Sequence, residues 1–179
     1  MESRTRVYIL VVAVLTGSAL TALPAAARVL ISQKDALAVA FPKTKPERRT
    51  AYLTDAQATA VEEAAQSKLE SKVWTYYVSG STTAYFESHL VRTMNETVMI
   101  VVNSNAVAFV EILSFSEPDE YLASKRWLGQ FPGRKLDDDL ALRRGLRGIA
   151  GATMTAEAVT RSVRRVLAIH QVLNAKPPK

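Results

Sequence analysis

The stretch Gly148-Ile149-Ala150-Gly151-Ala152-Thr153-Met154-Thr155 places two hydroxyls and several very small residues just ahead of a run with helical spacing. Two glycines and two alanines remove side-chain bulk, so a backbone here can approach a ligand closely. The first N–H groups of a helix have no intrahelical partner and carry the positive end of the helix dipole. A phosphate can be held there by main-chain donors alone. Thr153 sets a hydroxyl at that same end, and a hydroxyl beside a phosphate is what a phosphoester requires. A plainer role suits the same spacing: Thr153 or Thr155 as the N-cap of the helix, with the glycines forming a tight turn. Residue types alone leave both readings open. They do exclude a P-loop, which needs Gly-Lys-Ser/Thr, and give no Gly-x-Gly-x-x-Gly dinucleotide fingerprint.

Other chemistry-bearing residues are sparse. His89, Arg92 and Glu96 fall in one short stretch, where Arg92 or His89 could meet a ligand's polar edge or phosphate, or where Arg and Glu could pair across a hairpin turn. Only two histidines and no cysteine occur, too few soft ligands for a transition-metal site, a disulfide or an iron–sulfur cluster. His170 lies on the apolar side of the last helix and reads as a buried structural histidine. Trp74, Tyr76, Tyr77 and Tyr85 could stack on a planar ring, but aromatics in strands more often form core or cross-strand pairs. Asp137-Asp138-Asp139 reads as a solvated turn before it reads as a cation site. No Gly-x-Ser-x-Gly context supports a hydrolase.

The elements that must position these residues follow from periodicity. Ser32 reads as the cap of a helix reaching Phe41, followed by a charged, proline-containing loop, 42–49. Thr54 reads as the cap of a second helix, Asp55 to Ala65, with Asp55 in its first turn. Val73–Val78, Thr82–Val91, Thr97–Val102 and Ala106–Phe115 are strand-like and joined by short turns, which predicts antiparallel hairpins. Glu120 to Gln130 reads as a short helix ended by Phe131-Pro132-Gly133. Met154 to Leu173 is the clearest helix, with Val159, Val163, Val166 and Leu167 on one side and Arg161, Arg164 and Arg165 on the other. The sum is an α+β domain: an antiparallel sheet of about four strands, helices packed on it, and a long C-terminal helix.

The segment Gly151-Ala152-Thr153-Met154-Thr155-Ala156-Glu157-Ala158-Val159 resembles the flavinylation motif of the FMN-binding domain family. That family includes flavin-bearing subunits of the Rnf electron-transport complex and of the sodium-pumping NADH:quinone reductase. The likeness extends over most of residues 29–173, through Ala40-Phe41-Pro42, Leu53-Thr54, the stretch from His89 to Glu96, and Trp127-Leu128 with Phe131 and Gly133. Ala150 stands where the family commonly has Ser or Thr, and Arg147 where many members have Asp. The resemblance implies that FMN is joined by phosphoester to Thr153 and that a flavin transferase installs it from FAD outside the cytoplasm. It also implies cofactor contacts from Ala150, Gly151, Ala152, Met154 and Thr155, with His89, Arg92 and Trp127 as further candidates. The expected role is an electron carrier serving membrane-associated redox proteins, more than a stand-alone oxidoreductase. The other reading is a secreted binding or structural module without flavin, in which Thr153 only caps a helix.

Length and composition agree with one globular domain: 179 residues, 48% hydrophobic and 22% charged. Net charge is +6, yet the densest basic run, Arg143 to Arg147, holds only three arginines and no interleaved aromatics, so nucleic acid is not an expected partner. Arg4 and Arg6, an apolar run from Val7 to Leu15, and Ala25-Ala26-Ala27 read as a signal peptide over residues 1–27, or as an uncleaved N-terminal anchor. Either places residues 28–179 in the periplasm or another extracytoplasmic space.

Overall fold

The computed structural model describes residues 28–175; the expected signal segment, residues 1–27, lies outside them. Six strands form one antiparallel sheet: β1 (Arg28–Val29), β2 (Glu47–Tyr52), β3 (Val73–Ser79), β4 (Thr82–Leu90), β5 (Asn95–Asn103) and β6 (Ala106–Phe115), in the order β1-β6-β5-β4-β3-β2. Helices α1 (Gln33–Ala40), α2 (Asp55–Ala65), α3 (Lys125–Leu128) and α4 (Thr153–Asn174) complete the α+β domain. No described helix is long and apolar enough to cross a membrane.

The four-strand meander expected from alternation is present as β3 to β6. Two strands extend it. β2 falls on the end of the segment read as a loop, because Glu47-Arg48-Arg49-Thr50-Ala51-Tyr52 carries no apolar alternation. It needs none: it is an exposed edge strand whose backbone pairs with β3 from Glu47↔Val78 to Tyr52↔Val73, and its charges guard the edge against further pairing. β1 adds two residues to the other edge, opposite Phe115 and Ser114.

The two faces of the sheet are unequal. On one, Tyr85, Val98, Ile100, Val110 and Ile112 join Val159, Val163, Val166 and Leu167 of α4 and Val61 of α2 in the main core. On the other, α1 supplies Ala36 and Phe41 to a small cluster with Ala84, Met99, Val101 and Leu113. Two bulges between β5 and β6, at Thr97/Val98 and Val101/Val102, shift which residues of β6 face each side.

The helix ends explain where the elements stop. Ser32 accepts from the Asp35 N–H and caps α1. Thr54 and Gln57 exchange bonds of 3.2 and 2.9 Å in a capping box, so α2 begins where the sequence places it. The single helix expected over 120–130 is broken: a 3-10 turn covers Asp119–Tyr121, and Ser124 caps the separate α3.

Arg164 and Arg165 correct the expectation that they face away from the core. Arg164 is buried, and its guanidinium donates to the carbonyls of Ala64 and Ala65 at the end of α2 (3.2 and 3.0 Å) and of Asp137 and Leu140 (2.8 and 3.2 Å). It thereby closes the α2 C-terminus from another helix. Arg165 donates to Glu87 and to Ser67.

Candidate functional site

α4 begins unlike the other helices. Ala152 occupies its cap position, no side chain caps it, and no acidic residue lies in its first turn. The first intrahelical bond runs from Ala156 N–H to the Ala152 carbonyl at 3.1 Å. That leaves the N–H groups of Thr153, Met154 and Thr155 as the open donors of the helix mouth. Gly151 reaches this point with φ +77°, a conformation that L side chains rarely adopt, and a Cβ there would meet open space. The chain thus turns sharply into the helix and leaves the approach to its mouth clear.

The two threonines divide. Thr155 is 1% exposed and donates its hydroxyl to the Tyr121 carbonyl at 2.7 Å, pinning the first turn of α4 to the 3-10 turn. Thr153 is exposed at the first helical position. Neither acts as a cap.

Around Thr153 lies a recess of about 320 Å³ lined by Gly151, Ala152, Met154, Thr155, Arg92 and Tyr121. Arg92 comes from the β4–β5 loop, with its guanidinium 4.7 Å from the centre of the Tyr121 ring, in cation–π contact. The loop is anchored by Glu117, whose Oε1 accepts the N–H groups of Arg92, Thr93 and Met94 at 3.2, 2.7 and 2.9 Å. These bonds, the one from Thr93 foremost, hold the Glu117 carboxyl below its usual pKa. A carboxylate therefore fixes the loop that sets a cation opposite the helix mouth.

Three expected site residues lie elsewhere. His89 is on β4, not in the loop, and is buried: its Nε2–H donates to Glu96 at 2.8 Å and its Nδ1 accepts from the Ser162 hydroxyl at 2.8 Å. Strand alternation carries the signal for this, since Tyr85, Glu87 and His89 share the face turned to α4. The resulting Ser–His–Glu chain resembles a hydrolytic triad, but Ser162 is 0% exposed, so no substrate can reach it. Trp127 does not line the Thr153 recess. Its indole N–H donates to the Arg147 carbonyl at 2.6 Å while Gln130 Oε1 accepts the Arg147 N–H at 2.9 Å. Both side chains clamp the start of the 148–151 turn, a positioning role that sequence spacing did not reveal. Ala150 is exposed but stands outside the recess lining.

The remaining candidates take structural places. Tyr76 stacks on Tyr85 and Tyr77 meets Phe86 edge-on, both across strands. Trp74 is buried in the core. Asp137 Oδ1 accepts the N–H groups of Asp139 and Leu140, the geometry of an Asx turn. His170 is buried as expected: its Nε2–H donates to the Ser104 carbonyl and its Nδ1 accepts from the Tyr85 hydroxyl. Burial lowers its pKa, against the opposing pull of the bond to the Ser104 carbonyl.

No protein-family model, curated protein or solved structure matches this chain. The chemistry of the site therefore rests on its own groups. Three aligned N–H donors, a helix dipole and one guanidinium favour an anion at the α4 mouth. The accessible hydroxyl among them is a nucleophile or an ester oxygen. That donor set fits a phosphate ester joined to Thr153, and no Asp, Glu or His lines the recess to act as a general base.

Proposed function

We propose that Thr153 carries FMN through a phosphoester and that the protein is an extracytoplasmic electron carrier. The observation that carries this reading is the exposed Thr153 at an uncapped helix mouth, with Arg92 lining the same recess. It gives a physical setting to the likeness of Gly151-Ala152-Thr153 to a flavinylation motif.

In this reading the N–H groups of Thr153, Met154 and Thr155 bind the phosphate, and Arg92 offsets its remaining charge. Thr155 and Glu117 hold the two walls in place. Trp127 and Gln130 pin the turn that delivers Thr153. The missing base is supplied by the flavin transferase. Attachment would join Thr153 Oγ to the FMN-side phosphorus of FAD in place of the pyrophosphate P–O bond, with AMP leaving and the hydroxyl proton passing to the transferase. When bound, the isoalloxazine supplies one- and two-electron transfer. The protein's part is to tether and orient it for membrane-associated redox partners.

The test is the intact mass of the full chain produced with a flavin transferase in a host that labels a control flavoprotein. The expected gain is one FMN less one water, with fluorescence that survives denaturation. Thr153→Ala should abolish both, and Thr155→Ser should retain them. An unlabelled chain beside a labelled control would overturn the reading.

A further inference from the structure

We infer that the cleft between α1 and the 41–46 loop binds a single-chain amphiphile with an anionic head, the chemistry of a fatty-acid carboxylate. This cleft is on the face of the sheet that carries α1, away from α4, and the inference does not depend on flavin.

The cleft has a volume of about 860 Å³, within the roughly 300–1,000 Å³ of small-molecule sites. Its existence follows from the unequal covering of the sheet. α4 fills one face, but α1 is only eight residues long, and it and the Phe41 that ends it supply the second face with just Ala36 and Phe41 as buried partners. Leu37, Ala38, Phe41 and Pro42 are left along one wall and Tyr77 of β3 along the other. An apolar chain laid between them would extend a core that the polypeptide leaves thin.

The rim fixes the charge of the occupant. Lys34, Lys43 and Lys45 line the cleft, no Asp or Glu does, and none of the three lysines takes part in an ion pair among the described residues. The nearest acid along α1, Asp35, is engaged with Ser32 at the helix cap. Gln33 donates its side-chain N–H to the Tyr77 hydroxyl oxygen at 3.1 Å, which leaves the Tyr77 O–H free to donate. One hydroxyl donor and three unpaired cations thus surround an apolar floor. A neutral chain would leave these charges unused, and a cationic one would be repelled.

Titration calorimetry on Thr153→Ala protein, which keeps flavin out of the measurement, tests this with dodecanoate below its micelle concentration. Saturable one-to-one binding is expected, with dodecanol weaker by about tenfold or more and dodecyltrimethylammonium not bound. Replacing Lys34, Lys43 and Lys45 together by Gln should erase the preference for dodecanoate over dodecanol. Ala38→Trp, at an exposed position of α1, should fill the cleft and abolish both. No saturable binding, equal affinity for the three probes, unchanged affinity in Ala38→Trp, or binding only to phosphatidylglycerol vesicles would each overturn the inference. Circular dichroism of each variant separates loss of the site from loss of the fold.

Discussion

The N-termini of α2 and α4 answer the same physical problem in opposite ways. α2 closes its mouth twice over, with the Thr54–Gln57 capping box and with Asp55 against the dipole. α4 is twice as long, at 22 residues against 11, and closes its mouth with nothing. Thr153, one residue inside, turns no hydroxyl back to the cap. The contrast extends to the far end of α2, where Arg164 occupies the last carbonyls. The chain has ample means to finish a helix, and it withholds them at one place. An end that is stabilised by its own residues is architecture, while an end left open in a well-packed domain is available to a ligand.

The contrast can be tested by removing each closure in turn. The largest effect should come from Arg164→Ala, which strands the carbonyls of Ala64, Ala65, Asp137 and Leu140. Urea denaturation should show a loss of about 3 kcal/mol. A loss below about 1 kcal/mol would mean that solvent closes α2 without it. Next comes Thr54→Ala, expected to cost about 1 kcal/mol as a lost cap. Thr153→Ala in flavin-free protein should stay within about 0.5 kcal/mol of the parent, because nothing is capped there. If both threonine variants fell equally, the two helix mouths would be alike after all.

The smallest effect concerns the loop facing the open mouth. Glu117 has a folded-state pKa below its unfolded value, through the N–H bonds from Thr93, Met94 and Arg92. Its contribution to stability is therefore present above the unfolded glutamate pKa, about 4.3. It is lost as pH falls through the lower folded value. Glu117→Gln should flatten that acid limb of the stability profile, read by denaturant midpoints from neutral pH downward. An unchanged limb would show that the loop is held by other means.

How much of this was legible in the sequence depends on where each signal resides. The Thr54 cap and the four meander strands are local features, written in adjacent residues, and they stand where the sequence puts them. β2 was hidden because an edge strand needs only a partner's backbone, and Arg48 and Arg49 look like loop residues until β3 is beside them. Arg164 faces inward against expectation because a helical wheel knows the angle of a side chain but not its reach, and two of its four carbonyl partners, Ala64 and Ala65, lie 100 and 99 residues away. His89 falls within the strand expected over Thr82–Val91, where alternation with Tyr85 and Glu87 marks it as inward, and its nearness to Arg92 in sequence does not make a shared site. At the candidate site, the sequence offered two hydroxyls two residues apart, either of which suited a helix cap. Only the Tyr121 carbonyl, supplied by a distant turn, draws Thr155 inward and leaves Thr153 outside.

The Arg164 link also bears on the order in which the molecule can be assembled. A ribosome delivers α2 long before Arg164, and β1 long before the β6 strand it pairs with. Until the last helix emerges, the second has an unfinished end and the sheet's main face lacks its largest cover. Contacts of such long sequence separation carry a loop-closure cost and slow the docking of the last helix. The α2 terminus and the sheet face that α4 covers are therefore completed only once the C-terminal helix has been made.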